Sequence, residues 1–184
     1  MLATNEKFLP STSEQPVLVL VGPRAFSKFR FEFINRSLDV LQNGLRLDEA
    51  QFFYLVNLSS TLYKEEVKNL CSLLQSSGNL LIKKDSESNL TFVLPRKGTV
   101  SPWSSKATEI AKLCGFEGVL RIERGIYYRS SSLLSDQSKA VIFDKMTEQV
   151  LEASEIDSYF EKPPRRSIQI LELNKIGRSA IEDL

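Results

Sequence analysis

The sequence predicts an α+β protein built from two β-α-β-α-β halves, with antiparallel sheets and helices packed on one face. Two observations predict this class. Short apolar runs rich in β-branched residues alternate with stretches whose apolar side chains recur at helical spacing. The same order of elements then occurs a second time, as a shared pattern without evident sequence identity between the halves.

The first half is predicted to contain three strands and two helices. The strands are predicted at residues 17–21, 52–58 and 80–82. A helix is predicted over residues 26–41, because its apolar side chains recur at helical spacing and Gly44 follows where the helix would end. A second helix is predicted between Thr61, a candidate N-cap, and Gly78.

The second half is predicted to repeat this order. Its strands are predicted at residues 90–94, 119–129 and 168–171. Its first helix carries a set of small or apolar residues at helical spacing, namely Ala107, Ile110, Ala111 and Cys114. Its second helix is predicted over residues 134–153, with Ile142, Met146 and Val150 on one face. Each half is therefore predicted to be a ferredoxin-like unit.

The chain is expected to divide into four segments. They are a flexible arm at 1–15, a first half at 16–89, a second half at 90–162, and a linker with the start of a following domain at 163–184. Polar residues 83–89 separate two strands and predict a β-hairpin there. The last residues resemble the beginning of a further helix, so we expect the polypeptide to continue past Leu184.

Composition excludes several classes of function. The 184 residues carry a net charge of +1, which favours neither nucleic acid nor a membrane surface as a partner. No apolar stretch approaches the ~20 residues that span a bilayer, and the start lacks the features of a signal peptide. The chain contains no His, so the commonest general base and metal ligand is missing. Cys71 and Cys114 are interpreted as two reduced core thiols of a cytoplasmic protein.

Residues 101–106 form the most informative motif. Ser101 or Ser104 suits a helix N-cap, and a Pro in the first turn suits a helix start. In one interpretation the motif is only a capped helix, with Trp103 packed on the neighbouring sheet. In the other, free N–H groups, the hydroxyls that include Ser105, and Lys106 converge on an anion or on a facing domain. Both interpretations can hold together.

Arg121 and Arg124 allow two interpretations each. They lie in a predicted strand where charged and apolar residues alternate imperfectly. Arg121 is more simply part of the polar face of an edge strand with surface ion pairs, and less simply part of a docking face. For Arg124 the two interpretations are equally good, because Gly125 inside a strand often marks a bulge or a close backbone approach.

The same region carries a family resemblance. The string Ser-Pro-Trp-Ser-Ser-Lys-Ala-Thr at residues 101–108 resembles the N-terminal domain of the long-chain phosphoribosylformylglycinamidine synthase family, the formylglycinamide ribonucleotide amidotransferases. Further matching positions are Pro95-Arg96, Gly98-Thr99, Cys114-Gly115, Arg121, Glu123, Arg124, Gly125 and Tyr128. In that family this domain is similar to two copies of a small separate subunit of the multi-chain enzyme, which agrees with the two predicted halves.

The resemblance implies a role in purine biosynthesis as the non-catalytic assembly domain of a cytoplasmic ligase. The family's glutaminase residues lie in a C-terminal domain and its ATP and Mg²⁺ sites lie in central synthetase domains. None has a counterpart in this chain, so no catalytic residue or metal ligand is expected here. The implied partners are those glutaminase and synthetase domains, which this domain would bridge. The interface or anion-binding candidates are Ser101, Trp103, Ser104, Ser105, Lys106, Arg121 and Arg124.

Two other functions are compatible with the predicted fold. One is a free-standing ferredoxin-like regulatory or small-ligand-binding module. The other is a nucleic-acid-binding α+β domain, although the strands lack interleaved basic and aromatic residues and the net charge is near zero. We therefore expect neither nucleic acid nor a membrane as a partner.

Overall fold

The computed structural model describes residues 16–79 and 89–161. The strands are β1 (Val17–Arg24), β2 (Leu47–Leu58), β3 (Gly78–Asn79), β4 (Leu90–Pro95), β5 (Val119–Ser130) and β6 (Glu148–Leu151). The helices are α1 (Lys28–Leu41), α2 (Lys64–Leu73), α3 (Pro102–Leu113) and α4 (Asp136–Ile142), followed by a short 3₁₀ turn at Ala153–Glu155. None of the helices in these two ranges is long and apolar enough to cross a membrane.

The six strands form one antiparallel sheet in the order β3-β1-β2-β5-β4-β6. The first half supplies β1, α1, β2, α2 and β3, and the second half supplies β4, α3, β5, α4 and β6. The counterparts are β1 and β4, β2 and β5, and β3 and β6. When each strand is exchanged for its counterpart, the same strand order is read from the opposite edge of the sheet. The long strands β2 and β5 pair in the middle and join the halves. The predicted α+β class, with a ferredoxin-like order in each half, is confirmed.

All four helices pack on the same face of the sheet. Along β1 and β2 the alternate residues Leu18, Leu20, Tyr54 and Val56 contact a cluster that includes Leu70 of α2. Ala111 of α3 belongs to this cluster as well. A second cluster on this face joins the buried residues of α1 and α4 to the sheet, namely Ile34, Leu38, Ala50, Val93, Tyr128 and Ile142. The prediction of helices on one face is confirmed.

The opposite face of the sheet is covered by the segment that follows β6. Phe53, Phe92 and Leu94 lie on this face and are fully buried. Ile156 and Tyr159, just after the 3₁₀ turn, pack against them. This segment therefore closes the second side of the core, and it also contacts the residues between β4 and α3, where the Lys97 ammonium donates to the Ser158 hydroxyl.

Gly125 allows three strands to approach closely at the centre of the sheet. It pairs with Phe53 of β2. A Cβ atom at this position would lie 2.6 Å from Phe53 Cε1, 2.8 Å from Leu94 Cδ2 and still closer to the Val93 carbonyl oxygen. The close backbone approach suggested by this glycine is confirmed.

The predicted helix over 134–153 is wrong beyond its first two turns. Helix α4 ends at Ile142, and the chain returns to the sheet as β6. The Asp144 carboxylate stabilises the intervening turn by accepting hydrogen bonds from the Met146 N–H and the Thr147 hydroxyl. Met146 is exposed, and Val150 lies in the strand. The apparent helical spacing was accidental, because β6 completes the pairing of β4.

The predicted hairpin formed by 80–82 and 90–94 has only its second strand among the described residues. That strand, β4, pairs with β5 through residues 90–93 and with β6 through residues 92–95. Strand β3 pairs with β1 near the far end of the sheet. The predicted strands at 80–82 and 168–171, the arm at 1–15 and the linker with the start of a following domain at 163–184 lie outside the described residues.

Three local predictions need smaller corrections. Helix α2 is capped at Tyr63, whose N–H donates to the Glu66 carboxylate, and not at Thr61. Phe29 and Phe33, which share the helical spacing of α1, are exposed and do not face the core. Cys114 is exposed at the end of α3, so the interpretation of both thiols as core residues holds only in part, for the half-buried Cys71.

Candidate functional site

Residues 101–106 form the start of α3, as their residue types predict. Ser101 is the N-cap, and its Oγ accepts a hydrogen bond from the Ser104 N–H at 3.0 Å. Pro102 occupies the first turn, where its lack of an N–H and its fixed φ are favourable. The local chemistry of this turn therefore explains where the helix begins.

A buried carboxylate holds this turn against β5. Glu123 is completely buried, and one of its oxygens accepts a hydrogen bond from the Ser101 hydroxyl. The other oxygen accepts from the Arg121 guanidinium, which also donates to the Thr99 carbonyl oxygen. A buried charge is costly unless it is paired and hydrogen-bonded. These contacts satisfy Glu123 and fix the approach to α3.

The interpretation of Arg121 as part of an edge strand is wrong. Strand β5 lies between β2 and β4, and Arg121 is half-buried. Its guanidinium lies 5.5 Å from the centre of the Phe160 ring. Its contacts with Glu123 and Phe160 place it on the side of the sheet opposite the helices, where it serves the internal network.

Tyr159 belongs to the same network. Its hydroxyl donates a hydrogen bond to the Pro95 carbonyl oxygen at 3.0 Å. Burial raises the pKa of Tyr159 well above its ordinary value, and the Glu123 carboxylate raises this pKa further, while Arg121 lowers it. The hydroxyl is therefore held neutral beside the buried ion pair.

Trp103 projects to the helix side of the sheet. It is half-buried, and its ring stacks on Tyr54 with 5.6 Å between ring centres and an interplanar angle of 11°. The Arg124 guanidinium lies 4.8 Å from the centre of the Trp103 ring and 4.5 Å from that of Phe52. Burial raises the pKa of Tyr54, and Arg124 partly opposes this shift. Trp103 therefore contacts both the Tyr54 ring and the Arg124 guanidinium, which also lies over Phe52.

A cleft of about 240 Å³ opens beside Trp103, between the end of α2 and the first turns of α3. Its lining is mostly apolar and includes Tyr54, Leu73, Leu74, Trp103 and Ile110, with Lys106 at the same site. The counterpart helices α1 and α4 pack against each other. Exchange of the two halves relates the pair α1 and α4 to the pair α3 and α2. The first pair is in contact, whereas the cleft separates the second pair.

The remaining candidates differ in what they contact. Lys106 is exposed and forms an ion pair with Glu109 at 2.9 Å. Ser105 is exposed, and among the described residues its hydroxyl donates to the Ser101 carbonyl oxygen at 3.4 Å. Ser104 is buried, and its Oγ has no hydrogen-bond partner among the described residues.

The structure therefore separates the candidate residues into two groups. Trp103, Lys106 and Arg124 lie on the helix side, around the cleft or beside its aromatic wall. Ser101 and Arg121 instead converge on Glu123. A single anion site made from all the candidates is not formed.

Sequence reasoning missed the residues that support both groups. Phe52 and Tyr54 look like ordinary strand residues, and nothing in the linear sequence connects them with Trp103. Glu123 lies among charged residues in a strand, which is typical of a solvated face. The available signal was the flanking pair of arginines, because a buried carboxylate needs a cation beside it.

Residues 16–79 and 89–161 contain no group of three or more His, Cys, Asp or Glu side chains that could hold a metal ion.

Comparison with known families identifies a match for most of this architecture. Residues 51–160 match the family described as formylglycinamide ribonucleotide amidotransferase N-terminal. The match begins within β2 and includes α2, α3, β5, the cleft and the Glu123 network.

Proposed function

Because the chain belongs to the formylglycinamide ribonucleotide amidotransferase N-terminal family, we propose that it is the non-catalytic assembly domain of that enzyme. In this role it bridges the glutaminase part and the ATP-dependent synthetase part of a cytoplasmic ligase of purine biosynthesis. ATP and Mg²⁺ bind in the synthetase part, outside this chain. The family match is the observation that carries the proposal.

The cleft beside Trp103 supports a docking role. A half-buried Trp next to an apolar cleft is a typical anchor at a contact between proteins or domains. The walls of the cleft lie in the matched region, and the Glu123 network fixes the start of α3 from the other side. A facing domain that inserts an apolar side chain here would bury surface that this chain leaves open. We therefore assign the cleft as the contact with the catalytic parts.

The absence of His from the sequence supports a non-catalytic role. A glutaminase needs an activated thiol, and neither Cys71 nor Cys114 can have a His partner within this chain. The purified chain should release no glutamate from glutamine above a buffer blank. Turnover above that blank would contradict the assignment.

The bridging role is tested in the complete amidotransferase with the double variant Trp103→Ala, Lys106→Ala. We expect glutamine-dependent synthesis to fall about tenfold, the effect of losing ~1.4 kcal/mol of contact energy. Synthesis from added ammonia should fall much less, and glutamine binding should be retained, since the two active sites are untouched.

The matched control is Lys145→Ala, Met146→Ala, which removes a lysine and a large apolar side chain from an exposed turn. This control should behave as the wild type does. Equal glutamine-dependent synthesis by both double variants would show that the cleft makes no functional contact.

A further inference from the structure

Arg124 differs from the other arginines of β5 in what its guanidinium contacts. Arg121 donates to Glu123 and to a backbone carbonyl oxygen, and Arg129 forms an ion pair with Glu49 at 3.4 Å. Arg124 is half-buried and lies over two aromatic rings, but among the described residues no oxygen accepts a hydrogen bond from it. Its charge is therefore held in place without an anionic partner there.

The two rings offer no oxygen acceptor to the N–H groups of this guanidinium. A guanidinium is planar and carries its N–H groups in that plane, so an aromatic ring against its face does not occupy them. Phe52 and Trp103 restrict the side chain before any ligand arrives. This restriction lowers the entropic cost of binding a planar acceptor with two oxygens.

We propose that Arg124 binds the carboxylate of an Asp or Glu side chain presented by the part of the amidotransferase that docks on this face. The proposal rests on the proposed function, because it names the chemistry of the docking partner. The contact would lie beside the cleft, since Trp103 belongs to the cleft wall and to the Arg124 stack.

A carboxylate fits the local charge better than a phosphate does. Lys106 is already paired with Glu109, so Arg124 supplies one uncompensated positive charge. The start of α3 contributes little to an anion site, because Pro102 has no N–H and the Ser104 N–H is taken by Ser101. A phosphate group carries more charge and needs more donors than these residues offer.

The test uses Arg124→Lys in the complete amidotransferase and a carbodiimide, which joins an amine to a carboxylate in contact with it. We expect a new cross-link from residue 124 to an Asp or Glu beyond residue 184, identified by mass spectrometry and absent from the wild type. Arg129→Lys is the positive control, because it should cross-link to Glu49 within the domain. The proposal would be overturned if Arg129→Lys cross-links to Glu49 but Arg124→Lys gives no cross-link. A cross-link from residue 124 to a carboxylate within residues 1–184 would overturn it as well.

Two further measurements separate the remaining outcomes. Arg124→Gln should lower glutamine-dependent synthesis about tenfold, and Arg124→Lys should restore only part of it, because lysine keeps the charge but not the planar pair of donors. If Arg124→Lys gives no cross-link and inorganic phosphate binds the wild type more tightly than it binds Arg124→Gln, the site binds phosphate and the carboxylate assignment is wrong. If the Trp103, Lys106 double variant impairs synthesis but Arg124→Lys does not cross-link, the docking face stands and only the role of Arg124 fails.

Discussion

Replacement of Gly125 by alanine tests the packing at the centre of the sheet. The new methyl group would lie 2.6 Å from Phe53 Cε1 and 2.8 Å from Leu94 Cδ2, and nearest of all to the Val93 carbonyl oxygen. These distances are well inside van der Waals contact. The backbone oxygen cannot rotate away as a side chain could, so β4 and β5 would have to separate where Val93 pairs with Ile126.

The expected cost lies at the upper end of the range for overpacking. Extra methyl groups in a packed core typically cost ~1–3 kcal/mol. Because three strands meet at Gly125, we expect Gly125→Ala to lose about 3 kcal/mol of the free energy of unfolding. For a chain of this length that corresponds to a fall in Tm of about 6–12 °C.

Gly118→Ala is the matched control. Its new Cβ would meet Ser59, Leu62 and Ser60 atoms at 3.7–3.9 Å, which is ordinary contact. We expect its stability to stay within about 1 kcal/mol of the wild type. Thermal melts followed by far-UV circular dichroism, together with urea midpoints, measure both variants. A Gly125→Ala melt within about 2 °C of the Gly118→Ala melt would refute the reasoning.

Two further predictions follow from polar groups in the core. Ser101→Ala should lose about 2–3 kcal/mol in urea unfolding, because it removes a helix cap and a donor to the buried Glu123 carboxylate. The equivalent cap variant Ser27→Ala should lose about 1 kcal/mol, since its exposed hydroxyl only caps α1; equal losses would contradict the role of Glu123. Burial raises the pKa of Tyr128 and of Tyr159 above the ordinary value of 10.0, so the folded state keeps both protons where the unfolded chain loses them. Their stabilising contribution is therefore complete below pH 10 and is lost as the pH rises above it. The urea concentration at the unfolding midpoint should decrease when the pH is raised from about 10 to about 11. The double variant Tyr128→Phe, Tyr159→Phe should show a smaller decrease.

Much of the local structure could be predicted because its causes are close in sequence. Ser101 and the proline after it specify the start of α3, and the apolar run of β1 specifies a buried strand. The long helix predicted through Met146 failed because residues 142–150 fit a helical period equally well by chance. Pairing with β4 decides in favour of a strand there, and that partner is about 55 residues away.

In the candidate site, too, features with causes close in sequence could be predicted and features that depend on distant residues could not. The motif at 101–106 could be found from residue types, and so could the importance of Gly125. The burial of Glu123 could not be predicted, because its surroundings include the segment around Tyr159, which is distant in the sequence and lies near it only through tertiary packing.

The sequence by itself determined the order of strands and helices from β1 to β5, the cap of α3 and the absence of histidine chemistry from this chain. Only the tertiary structure decided that Trp103 stacks on Tyr54, that Arg124 lies over Trp103 and Phe52, and that a cleft stays open beside them. The physical reason is the range of the interactions. Caps and turns depend on neighbours along the chain, whereas ring stacking and charge burial depend on strands and helices brought together by the pairing of β2 with β5.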